Sequence, residues 1–410
     1  MTKTVDAYVK KVDNGSITTP KGFYAGGYAA GIRYTHKKDV GIIYSSTKAN
    51  AAAVYTQNAF QAAPIQATKD SIAKESKIQA VIVNSGNANA CTGETGLQDA
   101  FMMRKLTAEK LGVAEHLIAV ASTGVIGEYL NMEKVAFGIK NIGYIASKEG
   151  ADDFQEAILT TDTFPKSSCY ELVIDGKKVI IAGAGKGSGM IHPNMATMLG
   201  FITTDANVEA KALQNVLREV IDVTFNQITV DGDTSTNDMV LVMANGEAGH
   251  SPLSEDHPEW KVFKEGLKKV CEDLAKQIAK DGEGATKLIE VTVKGAKTKK
   301  EANIIAKTIV GSSLVKTAVY GKDANWGRIV CAAGYSGADI DPDRITVYLG
   351  QLLLFHNGLP VPFSEEEAKE YLSGDEIAIT VILNSGEAEG KAWGCDLTYD
   401  YVKINASYRT

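Results

Sequence analysis

An α+β fold with mixed, partly antiparallel sheets is predicted by three features of this 410-residue chain. Short apolar runs such as "AVIVNSG" and "IAVASTGVIG" alternate with amphipathic stretches such as "LQDAFMMRKLTAEKLG", and the change of apolar period separates strand from helix. Asp175-Gly176 stands between two β-rich runs in "ELVIDGKKVIIAG". That pair tolerates the positive φ of a two-residue hairpin, so the strands beside it are antiparallel. After about residue 285 the pattern shifts to strands around one long helix, which marks a second, smaller α+β unit.

The expected division is therefore residues 1–285 as the main unit and 286–410 as a carboxyl-terminal one. Late in the first, Phe263, Leu267, Val270, Cys271, Leu274 and Ile278 follow helical spacing along "EWKVFKEGLKKVCEDLAKQIAK", with Asp281-Gly282 as the stop. In the second, "KKEANIIAKTIVGSSLVKTAVYG" predicts a single long helix and Asn357-Gly358 another hairpin turn. The closing "TYDYVKINASYRT" alternates apolar and polar residues, which predicts a final strand.

The composition narrows the function. A net charge of -7 removes the broad attraction that nucleic-acid binders rely on, and no Lys/Arg stripe stands out. Small-molecule chemistry is the expectation. The amino terminus lacks the apolar core of a signal peptide, and no run approaches the ~20 apolar residues of a spanning helix. A cytoplasmic protein without membrane or nucleic-acid partners is expected. Cys91, Cys169, Cys271, Cys331 and Cys395 are scattered, with neither disulfide-framework nor zinc spacing. They are expected to be reduced and mostly buried, and no metal site is indicated.

Several familiar motifs nearly match and fail. "GAGKGSGM" has Gly187 after Lys186 where a phosphate loop needs Ser or Thr, and Ser188 interrupts a dinucleotide glycine pattern. "DGDTSTND" has Thr236 and Val242 where a calcium loop needs glycine and glutamate, so it reads as a capped turn.

What remains is "GSGMIHPNMATMLGFI", residues 187–202. A hydroxyl can attack the peptide bond that precedes it, giving an ester that water opens. Gly187 and Gly189 allow the sharp turn this needs, Pro193 restrains the approach and Ala196 offers little obstruction at Thr197. Once the chain is cut between Ala196 and Thr197, the new α-amine, with an ordinary pKa of ~8, can act as base toward its own hydroxyl. The same pattern also describes a plain strand residue beside a glycine-rich turn. Thr123 and Gly124 follow an apolar strand, where a hydroxyl or N–H can point at a ligand as an oxyanion donor. Lys186 suits a substrate carboxylate, Glu283 an amino group and Thr160 a hydroxyl contact; each is also an ordinary solvated or capping residue. His192 reads as structural.

The blocks "VNSGNANACTG", "STGVIG", "GMIHPNMATMLGFI", "VDGDTSTND", "DGEGATKLIEV", "GKDANWGRI" and "KINASYRT" together resemble the ornithine acetyltransferase family, the bifunctional glutamate N-acetyltransferases of arginine biosynthesis. The resemblance runs from about residue 10 to the end. It implies a layered α/β/β/α core, self-cleavage into an α chain 1–196 and a β chain 197–410, and an α2β2 assembly. Carried over position by position, it implies Thr197 as nucleophile, Thr123 and Gly124 as the oxyanion hole, and substrate contacts at Thr160, Lys186, Thr197, Glu283, Asn405 and Thr410. The implied reaction is ping-pong: acetyl passes from N2-acetyl-L-ornithine to Thr197 and then to L-glutamate, with no metal or cofactor. Many members of that family also accept acetyl-CoA; no motif here decides whether this chain does. A hydrolase of the amino-terminal nucleophile kind, or a non-catalytic amino-acid-binding protein, are the alternative readings.

Overall fold

The structure, a computed structural model, describes residues 8–192 and 198–407. Ala196, Thr197 and Thr410 lie outside the described residues. Among the described residues, two mixed sheets carry the fold.

The larger sheet holds β1 (Val9–Lys11), β2 (Phe23–Tyr28), β3 (Val40–Tyr55), β4 (Lys77–Asn84), β5 (Ile118–Ser122), β6 (Lys166–Ile174), β7 (Lys177–Lys186) and β8 (Leu199–Thr204). A short β9 (Ile228–Thr229) goes to the second sheet and β10 (Met239–Ala244) returns to the first. The order is β1-β6-β7-β8-β10-β3-β4-β5, with β2 also on β3. As expected, β6 and β7 form an antiparallel hairpin at Asp175-Gly176, both with positive φ (50° and 69°).

This sheet is folded over on itself. In a flat sheet, strands five positions apart stand about 24 Å from one another, and β8, β10, β3 and β4 separate β7 from β5. Yet Lys186 Nζ, at the end of β7, lies 3.3 Å from Thr123 Oγ1, just past β5. The turn-over is at the long strand β3, whose pairing with β4 shifts register between Tyr44 and Ala49. On the inner side, Val81, Ala119 and Ala121 share one apolar cluster with Ala184, Phe201 and Leu241.

The outer sides carry separate clusters, as period-two side-chain alternation requires when both faces are covered. On one, Ile82 and Val120 pack under helices α1 (Ala63–Glu75), α2 (Gly93–Leu111) and α3 (Met132–Asn141). Helix α4 (Lys148–Ile158) closes the inner layer, touching both β4 and β7. On the other, Ile181, Val240 and Val242 pack under α5 (Ala210–Asp222) and α6 (Trp260–Lys280). The layers are therefore α/β/β/α. All six residues expected on the apolar stripe of α6 are buried. The helix does stop at Asp281, but Gly282 lacks the positive φ of a glycine cap. Its missing side chain serves packing instead: a Cβ there would sit 2.5 Å from Cys395 Sγ.

The second sheet contains β11 (Leu288–Ala296), β12 (Thr346–Leu349), β13 (Leu352–His356), β14 (Leu359–Pro360), β15 (Glu376–Ile382) and β16 (Ala388–Cys395), in the order β14-β13-β12-β15-β11-β16-β9. Asn357-Gly358 turns β13 into β14 with positive φ at both residues. Val291, Val293 and Ile379 pack against Ile305, Ile309 and Ile329 from α7 (Lys299–Gly311) and α9 (Trp326–Gly334). Because β9 pairs with β16 and α6 also packs on β16, the two sheets are tied together.

Two expectations need correction. The single helix over 299–320 is two, α7 and α8 (Ser313–Tyr320), because Ser312 leaves the helical region (ψ 117°) and its hydroxyl caps the second by accepting from Val315 N. The final strand is a helix, α11 (Tyr399–Ser407), which follows the short α10 (Glu365–Tyr371). Thr398 Oγ1 accepts from Tyr401 N at 3.4 Å while donating to Gly284 O at 2.7 Å. That local cap outweighs an alternation pattern that a helix satisfies equally well. All five cysteines are free; Cys169, Cys271 and Cys395 are buried, Cys91 and Cys331 exposed. No helix among the described residues is long and apolar enough to cross a membrane.

Candidate active site

One cleft collects Thr123, Gly124, Thr160, Lys186, Glu283 and Asn405. Its volume of about 240 Å³ is below the ~300–1,000 Å³ typical of pockets for drug-sized ligands, and it suits an amino acid. Met198 and Leu199 form part of its wall. Met198 is the residue that follows Thr197 in the sequence.

At the end of β7, Lys186 is buried, its Nζ donating to Thr160 Oγ1 at 2.9 Å and to Thr123 Oγ1 at 3.3 Å. The carboxylate of Asp162 lies 3.8 Å from it and holds the neighbourhood rigid. Asp162 accepts from Gly187 N at 2.7 Å, from Thr160 N at 3.1 Å and from Lys166 Nζ at 2.7 Å. Lys166 is fully buried and also bonds Asp281 at 2.5 Å. Burial alone would raise the Asp162 carboxyl; the charges of Lys186 and Lys166 and the hydrogen bonds of Lys166 and Gly187 outweigh it and hold the group well below the usual carboxylate range.

The turn after β5 supplies two donors of different kinds. Thr123 N–H is used up on Asn84 O at 3.0 Å, so Thr123 has only its hydroxyl to offer. Gly124 N–H has no partner among the described residues. Gly124 sits at φ 134°, and a Cβ there would lie 2.3–2.7 Å from the Gly86 and Asn87 backbone, so only glycine fits. If Gly124 is the oxyanion donor that the resemblance implies, Gly124→Ala, which keeps the N–H but forces the turn to shift, is expected to lower the kcat/KM of acetyl transfer by roughly 10²–10³, the range for an impaired oxyanion donor. Steady-state kinetics near wild-type values would remove Gly124 from that role.

The opposite wall comes from the chain after α6 and from α11. Asn405 Nδ2 donates to Glu283 Oε2 at 2.8 Å. Gly189 makes room for that carboxylate, because a Cβ at 189 would stand 2.3–2.5 Å from its atoms. "DGDTSTND" does more than cap a turn. Asp231 accepts from Met190 N at 2.7 Å and Ile191 N at 2.9 Å, pinning the start of the segment that leads to Thr197. Burial lowers His192 to about 4, so it is neutral near pH 7, with Nδ1 2.9 Å from Thr229 Oγ1.

The sequence assigned no site role to Asp162, Lys166, Asp281 or Asp231. Asp281 was read only as part of a helix stop, Lys166 opens strand β6 and Asp162 lies on an irregular segment; the Asp231 block alone, rich in Asp, Ser and Thr, carried a signal. Among the described residues, Asp175, His257 and Glu259 have ligand atoms within 4.8 Å of one another. They serve the β6–β7 turn, with Asp175 accepting from Ser251 N at 3.0 Å and Glu259 from Asp175 N at 2.6 Å.

Known proteins agree with this architecture. The arginine biosynthesis bifunctional protein ArgJ of Bacillus licheniformis is 64% identical over 402 residues, 98% of each chain. That of Bacillus subtilis is 63% identical over 396 residues, 97% of each. A crystal structure of the arginine biosynthesis bifunctional protein argJ from Bacillus halodurans matches with 57% identity and a TM-score of 0.50, covering 51% of this chain and 98% of that one. The ArgJ family model matches residues 24–410. With the match running from the second strand to the last residue, this chain belongs to the ArgJ family.

Proposed function

We infer that this chain is an acetyltransferase of arginine biosynthesis that moves acetyl from N2-acetyl-L-ornithine to L-glutamate, as its family membership supports. The observation that carries the chemistry is the meeting of Lys186 with Thr160 and Thr123 in the cleft bordered by Met198. In the proposed mechanism Thr197 becomes an amino terminus, and its α-amine takes the proton from its hydroxyl as Oγ attacks the acetyl carbonyl. The tetrahedral oxyanion is received by Thr123 Oγ1 and Gly124 N–H. Ornithine leaves, the glutamate α-amine attacks the acetyl ester, and Thr197 is restored. A hydroxyl, its own amine and two donors suffice chemically, so we propose no metal or organic cofactor; acetyl-CoA is a second donor to test.

Lys186 is proposed to pair with the α-carboxylate that both amino acids share, and Glu283 with Asn405 to meet amino groups. Thr410 is proposed to contribute from the carboxyl terminus. Self-cleavage has support in length: the solved relative's chain spans about half of this one while 98% of it is used. An α2β2 assembly, a cytoplasmic location and a division into units 1–285 and 286–410 complete the proposal.

Lys186→Ala tests the substrate contacts. A charge-assisted hydrogen bond is worth about 1.5–3 kcal/mol, so KM for acetylornithine and for glutamate should both rise by roughly tenfold to a hundredfold. Unchanged KM for both would reject the carboxylate pairing. A hydrolase is separated by following ornithine release with and without glutamate: transfer requires glutamate for turnover, whereas equal release marks water as the acceptor.

A further inference from the structure

Asp238 stands apart among the cleft's carboxyl groups. It is buried, it lines the cleft, and its Oδ2 has no hydrogen-bond partner among the described residues. A buried polar atom left unsatisfied is costly, commonly by about 1–3 kcal/mol, and none of the roles above uses it.

Its position follows from strand register. β8 and β10 run parallel with Leu199 opposite Met239, so Asp238 and Met198 face each other one step earlier. Met239 N donates to Met198 O at 3.0 Å. The Met198 N–H is hydrogen-bonded to the Asp238 carboxyl, and that nitrogen is the one joined to Thr197 by the peptide bond. Asn237 fixes the approach from the other side, with Nδ2 donating to Ala88 O and to Ser122 O at 2.5 and 2.9 Å. Asp238 is thereby tied, through its neighbour Asn237, to the end of β5 just before Thr123.

Resting on the reading of Thr197 as a processed nucleophile, we propose that Asp238 is the proton partner of the Thr197 nitrogen, first in self-cleavage and then in the mature enzyme. In cleavage, Thr197 Oγ bonds to the Ala196 carbonyl carbon and the C–N bond to Thr197 breaks. The Asp238 carboxyl gives its proton to the departing nitrogen and recovers one from the attacking hydroxyl, so the step is an amide-to-ester isomerisation. Water then adds to the ester, leaving the Ala196 carboxylate and a free Thr197 hydroxyl. In the mature enzyme the carboxylate faces the new α-amine and stabilises the ammonium formed each time the hydroxyl attacks.

The protonation state required for the first step agrees with the surroundings. Burial pushes the Asp238 carboxyl well up; hydrogen bonding from Ser235, the charge of Lys186 and the Met198 N–H act against it. The other charged groups lining the cleft are Asp231, Asp233 and Glu283, with Tyr401 beside them.

The test is Asp238→Asn, with chain length followed by intact mass, fold by circular dichroism, and transfer by the pH dependence of kcat/KM. Cleavage should slow by about 10²-fold or more, the range of general acid–base assistance, in a folded protein. In the fraction that matures, the rising limb of the pH profile should move to lower pH by about one unit, because the ammonium has lost its counter-charge. Cleavage and limb both unchanged overturn the proposal while leaving Thr197 as nucleophile. Where Asp238→Asn does not fold or never matures, Ser235→Ala decides. Removing a donor to the carboxylate makes the pair hold its proton more tightly, so the limb should move to higher pH; an unmoved limb overturns the proposal. Wild-type protein that is active as one uncut chain would overturn both this inference and the reading beneath it.

Discussion

Thr197→Ala is expected to remain a single 410-residue polypeptide and to lose acetyl transfer by roughly 10⁴–10⁶-fold, the scale seen when a nucleophile is deleted. The loss is double in origin. Without the hydroxyl there is no attack on the Ala196 carbonyl, so no α-amine forms, and no oxygen is left to carry acetyl. A denaturing gel and a transfer assay with acetylornithine and glutamate measure the two effects separately. Cleavage persisting in this variant, or transfer within tenfold of wild type, would place the chemistry on another residue.

Lys166→Met is expected to have the largest effect on folding. Lys166 lies between Asp162 and Asp281 at 2.7 and 2.5 Å, and the three side chains are essentially out of contact with water. Removing the cation leaves buried carboxylates without their shared partner, which typically costs about 3–5 kcal/mol. Urea unfolding should show that loss, and Asp162 should no longer hold Gly187 and Thr160 in place. A loss below about 1 kcal/mol would mean that the network contributes little.

The acid dependence has a defined sign. The folded-state pKa of Asp162 is depressed relative to the ~3.9 of an unfolded aspartate. Its contribution to stability is therefore complete above that value and fades as pH falls through it toward the lower folded value. Wild type should lose stability below about pH 4, and Lys166→Met should show a shallower dependence.

The fold was legible where apolar period and turn chemistry agreed. Asp175-Gly176 and Asn357-Gly358 specified hairpins through their positive φ, and the stripe from Phe263 to Ile278 specified α6. It was misread where a single polar side chain decided the outcome. Ser312 breaks one helix into two and Thr398 starts α11 where alternation suggested a strand, and neither effect enters a periodicity. The folding-over of the first sheet could not be read locally, because it depends on β3 pairing with different partners along its length.

The candidate site was legible in its endpoints. Thr123, Gly124, Thr160, Lys186, Glu283 and Asn405 come from five separate segments and line one cleft; the family resemblance grouped them, and their individual residue types did not. The buried supports behind them, Asp162, Lys166 and Asp281, acquire meaning only from three-dimensional proximity. Lys166 is a strand residue that would ordinarily be read as facing solvent, and its burial depends on carboxylates 4 and 115 positions away.

The central claim is that Thr197 is a chain terminus whose oxygen carries acetyl. Rapid quenching of purified enzyme with N2-acetyl-L-ornithine in the absence of glutamate, followed by intact-mass measurement and peptide mapping, tests it directly. The account predicts chains of 196 and 410 − 196 = 214 residues, the longer one heavier by a single acetyl group on its first residue and returned to its original mass when glutamate is added. Active enzyme that remains one uncut chain, or a 214-residue chain that never gains acetyl during turnover, would contradict it.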